Sequence, residues 1–478
     1  MQLIGRRRER AVFDQASQSD KAELIAVYGR RRIGKTVLIR EYFASSIVFE
    51  LTGLSNAPLD LQLENFSAAL ERAFGSSGSY AAPSNWFEAF QQLEKSLQGH
   101  KKGKRRRVVF FDELPWLATR RSGFLGAFEH FWNSWASKQN ELIVVVCGSA
   151  ASWMINRVVE SRTGLHNRVT RRVRLMPFSV GESQALLENH GVKLTEHQVL
   201  EIYMALGGVP YYLEQVQRGE SAAQAIDRLC FAHDGALRAE FQHLYAALFE
   251  RADRHENVVR VLAGKPGGMA RNELLAKTGL RSGGGTTTLL SELIECGFIQ
   301  CLPQWGMASK EALYRLSDEY SLFYLRWVEG KRALSSGAWL KRRGTPAWRA
   351  WSGLAFEAMC LKHVDALKMG LGISGVETEE SGWHVRSTNA HSGAQVDLVI
   401  DRKDNCINLC EMKFVDGPFV INKRYAEVLR RKLAAFREST GTKKALFLTF
   451  VTTYGVTSNA HSRELVAAQL LASILFTT

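Results

Sequence analysis

No apolar run in this sequence approaches the roughly 18 residues that a membrane-spanning helix needs, so a membrane is not an expected partner. Nor is a secretory leader expected: the opening Met-Gln-Leu-Ile-Gly-Arg-Arg-Arg is basic but leads into no apolar stretch. The 7 cysteines form no Cys-x-x-Cys pair, and an odd count of this kind reads as reduced thiols in a cytoplasmic protein. Cys406 and Cys410 read as packing residues rather than metal ligands. There is no repeat of fixed period and no low-complexity tract. What the chain does have is 46% apolar and 23% charged residues over 478 positions, the profile of a soluble globular protein of two to four domains. A formal charge of +14 favours a polyanionic partner, nucleic acid and DNA before RNA, over the alternative of a merely basic surface. The densest basic cluster, 101–107, precedes an apolar run, so it reads either as a nucleic-acid contact or as a solvated loop.

Short, often β-branched runs at 24–28, 47–51, 108–111, 142–147 and 173–176 alternate with helical stretches, and only Glu50 and Arg174 interrupt them. This predicts an α/β domain whose parallel strands are buried on both faces, with ligands at their carboxyl ends. From 179 to about 249 the strand signal gives way to amphipathic helices at 181–189 and 195–205, broken by Gly207-Gly208-Val209-Pro210.

Gly29-Arg30-Arg31-Arg32-Ile33-Gly34-Lys35-Thr36 fits the phosphate-binding pattern G-x-x-x-x-G-K-[ST], with a strand before it and a helical pattern after it. Its glycines let backbone N–H groups wrap phosphates at a helix N-terminus. Lys35 is placed to reach the β- and γ-phosphates of ATP and Thr36 to ligate Mg²⁺, with Arg32 and Val37 completing the candidate nucleotide contacts. The run 108–111 ends in Asp112 and Glu113, which suits Asp112 to Mg²⁺ and Glu113 to orienting and deprotonating the attacking water. Ser149, after the run 142–147 and Gly148, is placed to present a hydroxyl near the γ-phosphate. Arg162, Arg168, Arg171, Arg172 and Arg174 are candidates to neutralise transition-state charge, in cis or from a neighbouring copy in a homo-oligomer.

Ile4-Gly5-Arg6, the arginine-rich P-loop, Phe111-Asp112-Glu113, Cys147-Gly148-Ser149 and Gly207-Gly208-Val209-Pro210 together resemble the archaeal-type ATPase family, P-loop NTPases allied to the AAA+ and STAND groups. The resemblance covers about the first 330 residues. It implies that Gly5 and Arg6 lie near the nucleotide base, and that Gly208 to Pro210 belong to a helical lid over it. Among the arginines it favours Arg168, since the family's counterpart precedes a Leu-x-Pro-Phe stretch, here Leu175-Met176-Pro177-Phe178. Asn167 stands where that family has glycine.

Three short helices followed by two apolar segments, at 298–302 and 312–316, suit a winged helix-turn-helix. Its presumed recognition helix, 286–295, offers Thr286, Thr287 and Thr288 to a major groove, yet carries Glu292 and Glu295 and no basic residue. DNA reading and a structural or subunit-contact role both stand, with Lys277 and Arg281 favouring the former.

After a linker-like basic stretch, 331–343, a last unit pairs Asp397 at the start of one apolar strand with Glu411 and Lys413 at the end of another. Alternation puts Glu411 and Lys413 on one face. Carboxylates on two strands with a lysine beside them suit Mg²⁺-dependent phosphodiester hydrolysis, with Glu357 as a third carboxylate. The pattern resembles the PD-(D/E)XK nuclease fold, which implies metal ligation by Glu357, Asp397 and Glu411 and a catalytic Lys413; an inactive module that keeps the fold is the alternative. His363, His384 and His391, also here, read as surface or core residues. The expected organisation is a P-loop ATPase core over 1–178, a helical lid over 179–250, a winged helix over 251–330 and a restriction-endonuclease-like α/β domain over 345–478. The expected function is an ATP-dependent nuclease acting on nucleic acid, or a regulatory or scaffolding NTPase whose nuclease-like domain only binds.

Overall fold

The computed structural model describes residues 3–75, 80–99, 105–119, 121–149, 151–159, 165, 167–249, 251–308, 311–330, 337–385 and 393–477. Residues 101–104 of the basic cluster, Arg162, 331–336 of the linker-like stretch and His391 lie outside them. The described residues fall into two compact units: Met1–Met176 with Leu244–Ala252, and Pro177–His243 with Asp253–Thr478. The segments expected as lid, winged helix and C-terminal domain fall in the second unit apart from 244–252, which belong to the first. No helix among the described residues is long and apolar enough to cross a membrane. All seven cysteines are free thiols.

The first unit is built on β1 (Glu23–Tyr28), β2 (Ile47–Thr52), β3 (Arg107–Asp112), β4 (Leu142–Gly148) and β5 (Arg171–Arg174). They form one parallel sheet in the order β2-β3-β4-β1-β5. The three central strands are buried throughout, which is why β1, β3 and β4 read as unbroken apolar runs. The two interrupted runs are the edges. Glu50 on β2 turns outward to Arg40 at 2.6 Å. The last strand lies two residues earlier than its apolar run, because its N-terminal end is fixed by polar contacts: Thr170 Oγ1 accepts from the Leu24 N–H at 3.0 Å, and Arg171 reaches Glu23 at 3.1 Å. Alternation gives each face its own core. Phe66, Trp86, Phe90, Phe111, Phe124 and Phe128 pack on one side, and Phe13, Ile25, Val27, Ile39 and Val145 on the other. Arg106 and Arg107 belong to this framework rather than to a solvated loop. Arg106 donates to the carbonyls of Asn140 and Leu142, and Arg107 pairs with Glu141 at 2.8 Å.

The second unit opens with helices Val180–Asn189, Glu196–Leu206 and Ala222–Cys230, each started by a side-chain cap from Ser179, Thr195 or Ser221. Helices Ala252–Ala263, Arg271–Thr278 and Gly284–Glu295 accompany a small antiparallel sheet of β6 (Met269–Ala270), β7 (Ile299–Leu302) and β8 (Leu313–Leu316) in the order β6-β8-β7. The basic stretch expected as a linker is packed over its described part. Trp339 is buried among Trp327, Trp351 and Phe323, its N–H donates to Asp227, and Arg343 pairs with Glu201 at 2.6 Å.

Beyond the long helix Pro346–Lys362 comes a mixed sheet of β9 (Thr378–Val385), β10 (Ala394–Arg402), β11 (Cys406–Lys413), β12 (Ala445–Thr452) and β13 (Ala468–Leu471). Its order is β13-β12-β11-β10-β9, antiparallel from β9 to β11 and parallel from β11 to β13. Helix Lys423–Thr440 links β11 to β12 and buries Ala426, Leu429 and Phe436.

Candidate active site

The P-loop follows β1 directly and turns into helix Lys35–Tyr42. Gly29 has φ 149°, and a Cβ there would overlap the Leu175 carbonyl oxygen, so only glycine lets the loop leave the strand this close to β5. Gly34 takes φ 85° immediately before the helix, and Arg32 takes φ 69° within the loop. Lys35 is buried and its ammonium donates to the carbonyls of Gly29 and Arg30 at 3.1 and 2.9 Å, inside the curl of the loop. Thr36 donates its hydroxyl to Asp112 Oδ2 at 2.8 Å, joining the helix that follows β1 to the end of β3, with β4 the one strand between β1 and β3. Val37 is 48% exposed on the first turn of that helix.

Burial raises the Asp112 carboxyl above its ordinary range; the Glu113 charge adds to this and the Thr36 bond opposes it. A buried carboxylate beside a threonine hydroxyl, in a setting that penalises its negative charge, is a donor pair that fits Mg²⁺. Cys147, fully buried at the end of β4, is pushed far up by burial and by the neighbouring Asp112. Glu113 sits at φ 48°, a left-handed conformation uncommon for glutamate. Its carboxylate is clasped by Ser149, whose N–H donates at 3.0 Å and whose hydroxyl donates to the other oxygen. The structure thus brings Lys35, Thr36, Asp112, Glu113 and Ser149 into one group.

Arg6, which the resemblance puts near the base, is a strut within the unit. It is 4% exposed, and its guanidinium donates to the carbonyls of Ile33 in the P-loop at 2.9 Å and Met176 at 2.6 Å. The Gly5-Arg6 sequence marked the position, but nothing local in it marks the carbonyls it braces. Arg168 has an exposed side chain in the turn before β5. Asn167 there has φ 58°, so it adopts the backbone that glycine would, a conformation asparagine tolerates.

In the second unit, Glu357 and Asp397 come within hydrogen-bonding range, and Arg315 of β8 pairs with Glu357 at 2.8 Å. Burial, then the charge of Asp397, pushes Glu357 up to about 7 against the pull of Arg315. Glu411 and Lys413 share a face as expected, 3.3 Å apart, but the Tyr425 hydroxyl donates at 3.0 Å to the same Glu411 oxygen and Lys432 holds the other. Burial would raise the Glu411 carboxyl, yet Lys432 and Lys413 bring it below its usual range. No local pattern marks Tyr425 or Lys432, which enter from helix Lys423–Thr440. No group of three or more acid, histidine or cysteine side chains placed to hold a metal exists among the described residues, so Glu357, Asp397 and Glu411 as arranged do not fit a metal ion.

The presumed recognition helix also differs from expectation. Thr286 is buried with its hydroxyl on the Arg281 carbonyl, Arg271 donates to Thr287, and Glu292 pairs with His255 at 2.8 Å. Only Thr288 of the three threonines remains both exposed and outside these contacts.

Residues 5–216 match the family described as an ATPase domain predominantly from Archaea. An uncharacterized protein of Methanocaldococcus jannaschii is 22% identical over 418 residues, spanning 87% of this chain and 88% of that one. The Walker-type ATPase of Pyrococcus abyssi is 17% identical with a TM-score of 0.49, covering 68% of this chain and 96% of its own. The Aeropyrum pernix ORC2 protein, solved in ADPNP–ADP complexes, is 16% identical with a TM-score of 0.41, covering 68% and 93%. At such identities and TM-scores the assignment stands on the family match and on the grouping of P-loop and acidic strand end: the chain is an ATPase, similar over residues 5–216 to the ATPase domain of that family.

Proposed function

We propose that this ATPase is a nucleotide-driven switch acting on nucleic acid, DNA before RNA, with a PD-(D/E)XK-like nuclease module at its C-terminal end. The observation that carries the ATP-site reading is the 2.8 Å contact between Thr36 and Asp112, which unites the phosphate loop with the acidic strand end. Lys35 exchanges the Gly29 and Arg30 carbonyls for the β- and γ-phosphates, while backbone N–H groups of the loop cradle them. Thr36 and Asp112 hold Mg²⁺, which when bound supplies positive charge to the phosphates. Glu113 orients the attacking water and accepts its proton; Ser149 holds the Glu113 carboxylate and releases it when the γ-phosphate competes for the hydroxyl. Arg168, exposed and before β5, is the candidate for neutralising the developing charge in cis or in a neighbouring copy.

The nucleic-acid reading rests on the +14 charge and on the order of three helices and a small antiparallel sheet, as in a winged helix. The reading of the last unit as nuclease-like rests on the mixed sheet, with Asp397 on β10 and Glu411 and Lys413 on the adjoining β11. The rival, a regulatory NTPase with an inactive module, is favoured by the cations on Glu357 and Glu411. The test is a titration of labelled DNA and RNA with ATP, ADP or no nucleotide, over a salt series, with cleavage scored in Mg²⁺. The switch reading expects binding that weakens steeply with salt and differs between ATP and ADP. Equal affinity in all nucleotide states refutes the switch, and the absence of cleavage in every condition gives the rival the case.

A further inference from the structure

Glu113 presents its carboxylate from a backbone at φ 48°, in the turn between β3 and the short helix Leu114–Leu117. A glutamate keeps such a conformation only where its surroundings over-determine it. The turn supplies two hydrogen bonds of its own. The Trp116 N–H donates to the Glu113 carbonyl at 2.9 Å, and the Glu113 N–H donates to the Asp112 carboxylate at 3.0 Å. Both are local, so neither ties the turn to the rest of the unit.

That tie comes from β2 and the helix after it, Leu59–Phe74. Gly53, just past the end of β2, donates its N–H to the Asp112 carbonyl at 2.9 Å. A Cβ there would lie 2.8 Å from the Glu113 carbonyl oxygen and 3.1 Å from Trp116 Cβ, so glycine lets the two backbones touch. Gln62, on the first turn of helix Leu59–Phe74, is 3% exposed. Its Oε1 accepts from the Leu54 N–H at 3.1 Å, and its Nε2 donates to the carbonyls of Leu54 at 2.7 Å and Trp116 at 3.1 Å. One acceptor and two donors are what an amide offers, and all are engaged. Ionised glutamate lacks the donors, and methionine of similar length lacks donors and acceptor alike. On the other side of β3, Pro115 rests against Gly148 at the end of β4, where a Cβ would come within 2.7 Å of its ring.

We propose that Gln62 is a positioning residue for ATP hydrolysis: it grips the Trp116 carbonyl and so fixes the turn from which Glu113 reaches the attacking water. This rests on the reading of Glu113 as the base. The three groups that Gln62 binds lie outside the P-loop, so its role predicts a loss of turnover and not of ATP affinity.

The test is steady-state phosphate release and binding of a fluorescent ATP analogue by the full chain. The proteins are wild type, Gln62→Met, Gln62→Glu, Gly53→Ala and Glu113→Gln, with Gln62→Met also placed on Glu113→Gln. A shift of about 1 Å at a reacting group costs on the order of a hundredfold in rate, so Gln62→Met is expected to lower kcat about tenfold or more. KM and analogue affinity are expected to stay within about twofold of wild type. Gly53→Ala pushes the same turn from outside and is expected to give the same split. It serves with Gln62→Glu if Gln62→Met folds poorly, with circular dichroism reporting on folding. On the Glu113→Gln background, Gln62→Met is expected to leave the residual single-turnover rate unchanged, because the group it positions is already gone. Wild-type kcat in a folded Gln62 variant, with Glu113→Gln inactive, overturns the positioning role alone. A loss of affinity as large as the loss of kcat, or a further loss of rate on Glu113→Gln, makes Gln62 a structural residue and overturns the role as well. Wild-type turnover by Glu113→Gln overturns the reading of the base and, with it, the role of Gln62.

Discussion

Replacing Arg6 by alanine removes two hydrogen bonds from a charged donor to backbone carbonyls, one on Ile33 inside the P-loop and one on Met176 beyond β5. A bond of this kind contributes about 1.5–3 kcal/mol, and a carbonyl left without a partner in a buried setting costs about 1–3 kcal/mol. Water entering the space left by the side chain recovers part of this, so a loss of about 3 kcal/mol in the stability of the first unit is expected. The Ile33 carbonyl lies between Arg32 and Gly34, both at positive φ, so a loop released there samples conformations that no longer cradle phosphate. ATP affinity is therefore expected to fall by about tenfold or more, with Arg6→Lys intermediate because an ammonium cannot span both carbonyls in one plane. Urea unfolding followed by tryptophan fluorescence, paired with titration of a fluorescent ATP analogue, measures both quantities. An Arg6→Ala protein with wild-type unfolding midpoint and wild-type affinity refutes the strut. A protein that is destabilised but binds ATP normally refutes its link to the loop.

Gly29→Ala combines a φ of 149° with overlap against the Leu175 carbonyl, so ATP binding is expected to disappear even where the protein remains folded; equilibrium binding checks it. Ser149→Ala removes the hydroxyl bond to Glu113 and leaves the backbone N–H bond, and steady-state phosphate release is expected to show kcat lowered about tenfold with KM nearly unchanged. His363 is pushed down to about 4 by burial, so its folded form holds a proton less readily than its unfolded form. Stability from this group is complete above the ordinary histidine range and is lost as pH falls toward 4, and His363→Asn is expected to flatten that acid limb in pH-dependent urea melts.

The central strands were legible because burial on both faces forces continuous apolar runs, and β1, β3 and β4 show this at 24–28, 108–111 and 142–147. At the sheet edge that logic weakens: β5 starts at Arg171, ahead of its apolar run, since polar contacts to Glu23 and Leu24 fix its start. The same weakness hid β9, whose Thr-Glu-Glu-Ser opening alternates polar side chains along an edge, and β13, only 4 residues long. The phosphate loop could be read because its chemistry is local in sequence. Arg6, Arg315 and Lys432 could not, because each acts on a partner 21 or more positions away, and only the fold supplies such a partner.

The central claim is that the P-loop and Glu113 together hydrolyse ATP. A single-turnover assay with γ-phosphate-labelled ATP tests it, run on wild type, Lys35→Ala and Glu113→Gln with bound nucleotide and released phosphate measured in the same samples. Wild type is expected to release phosphate, Lys35→Ala to bind no ATP tightly, and Glu113→Gln to retain ATP uncleaved. Phosphate release by Glu113→Gln at the wild-type rate would contradict it.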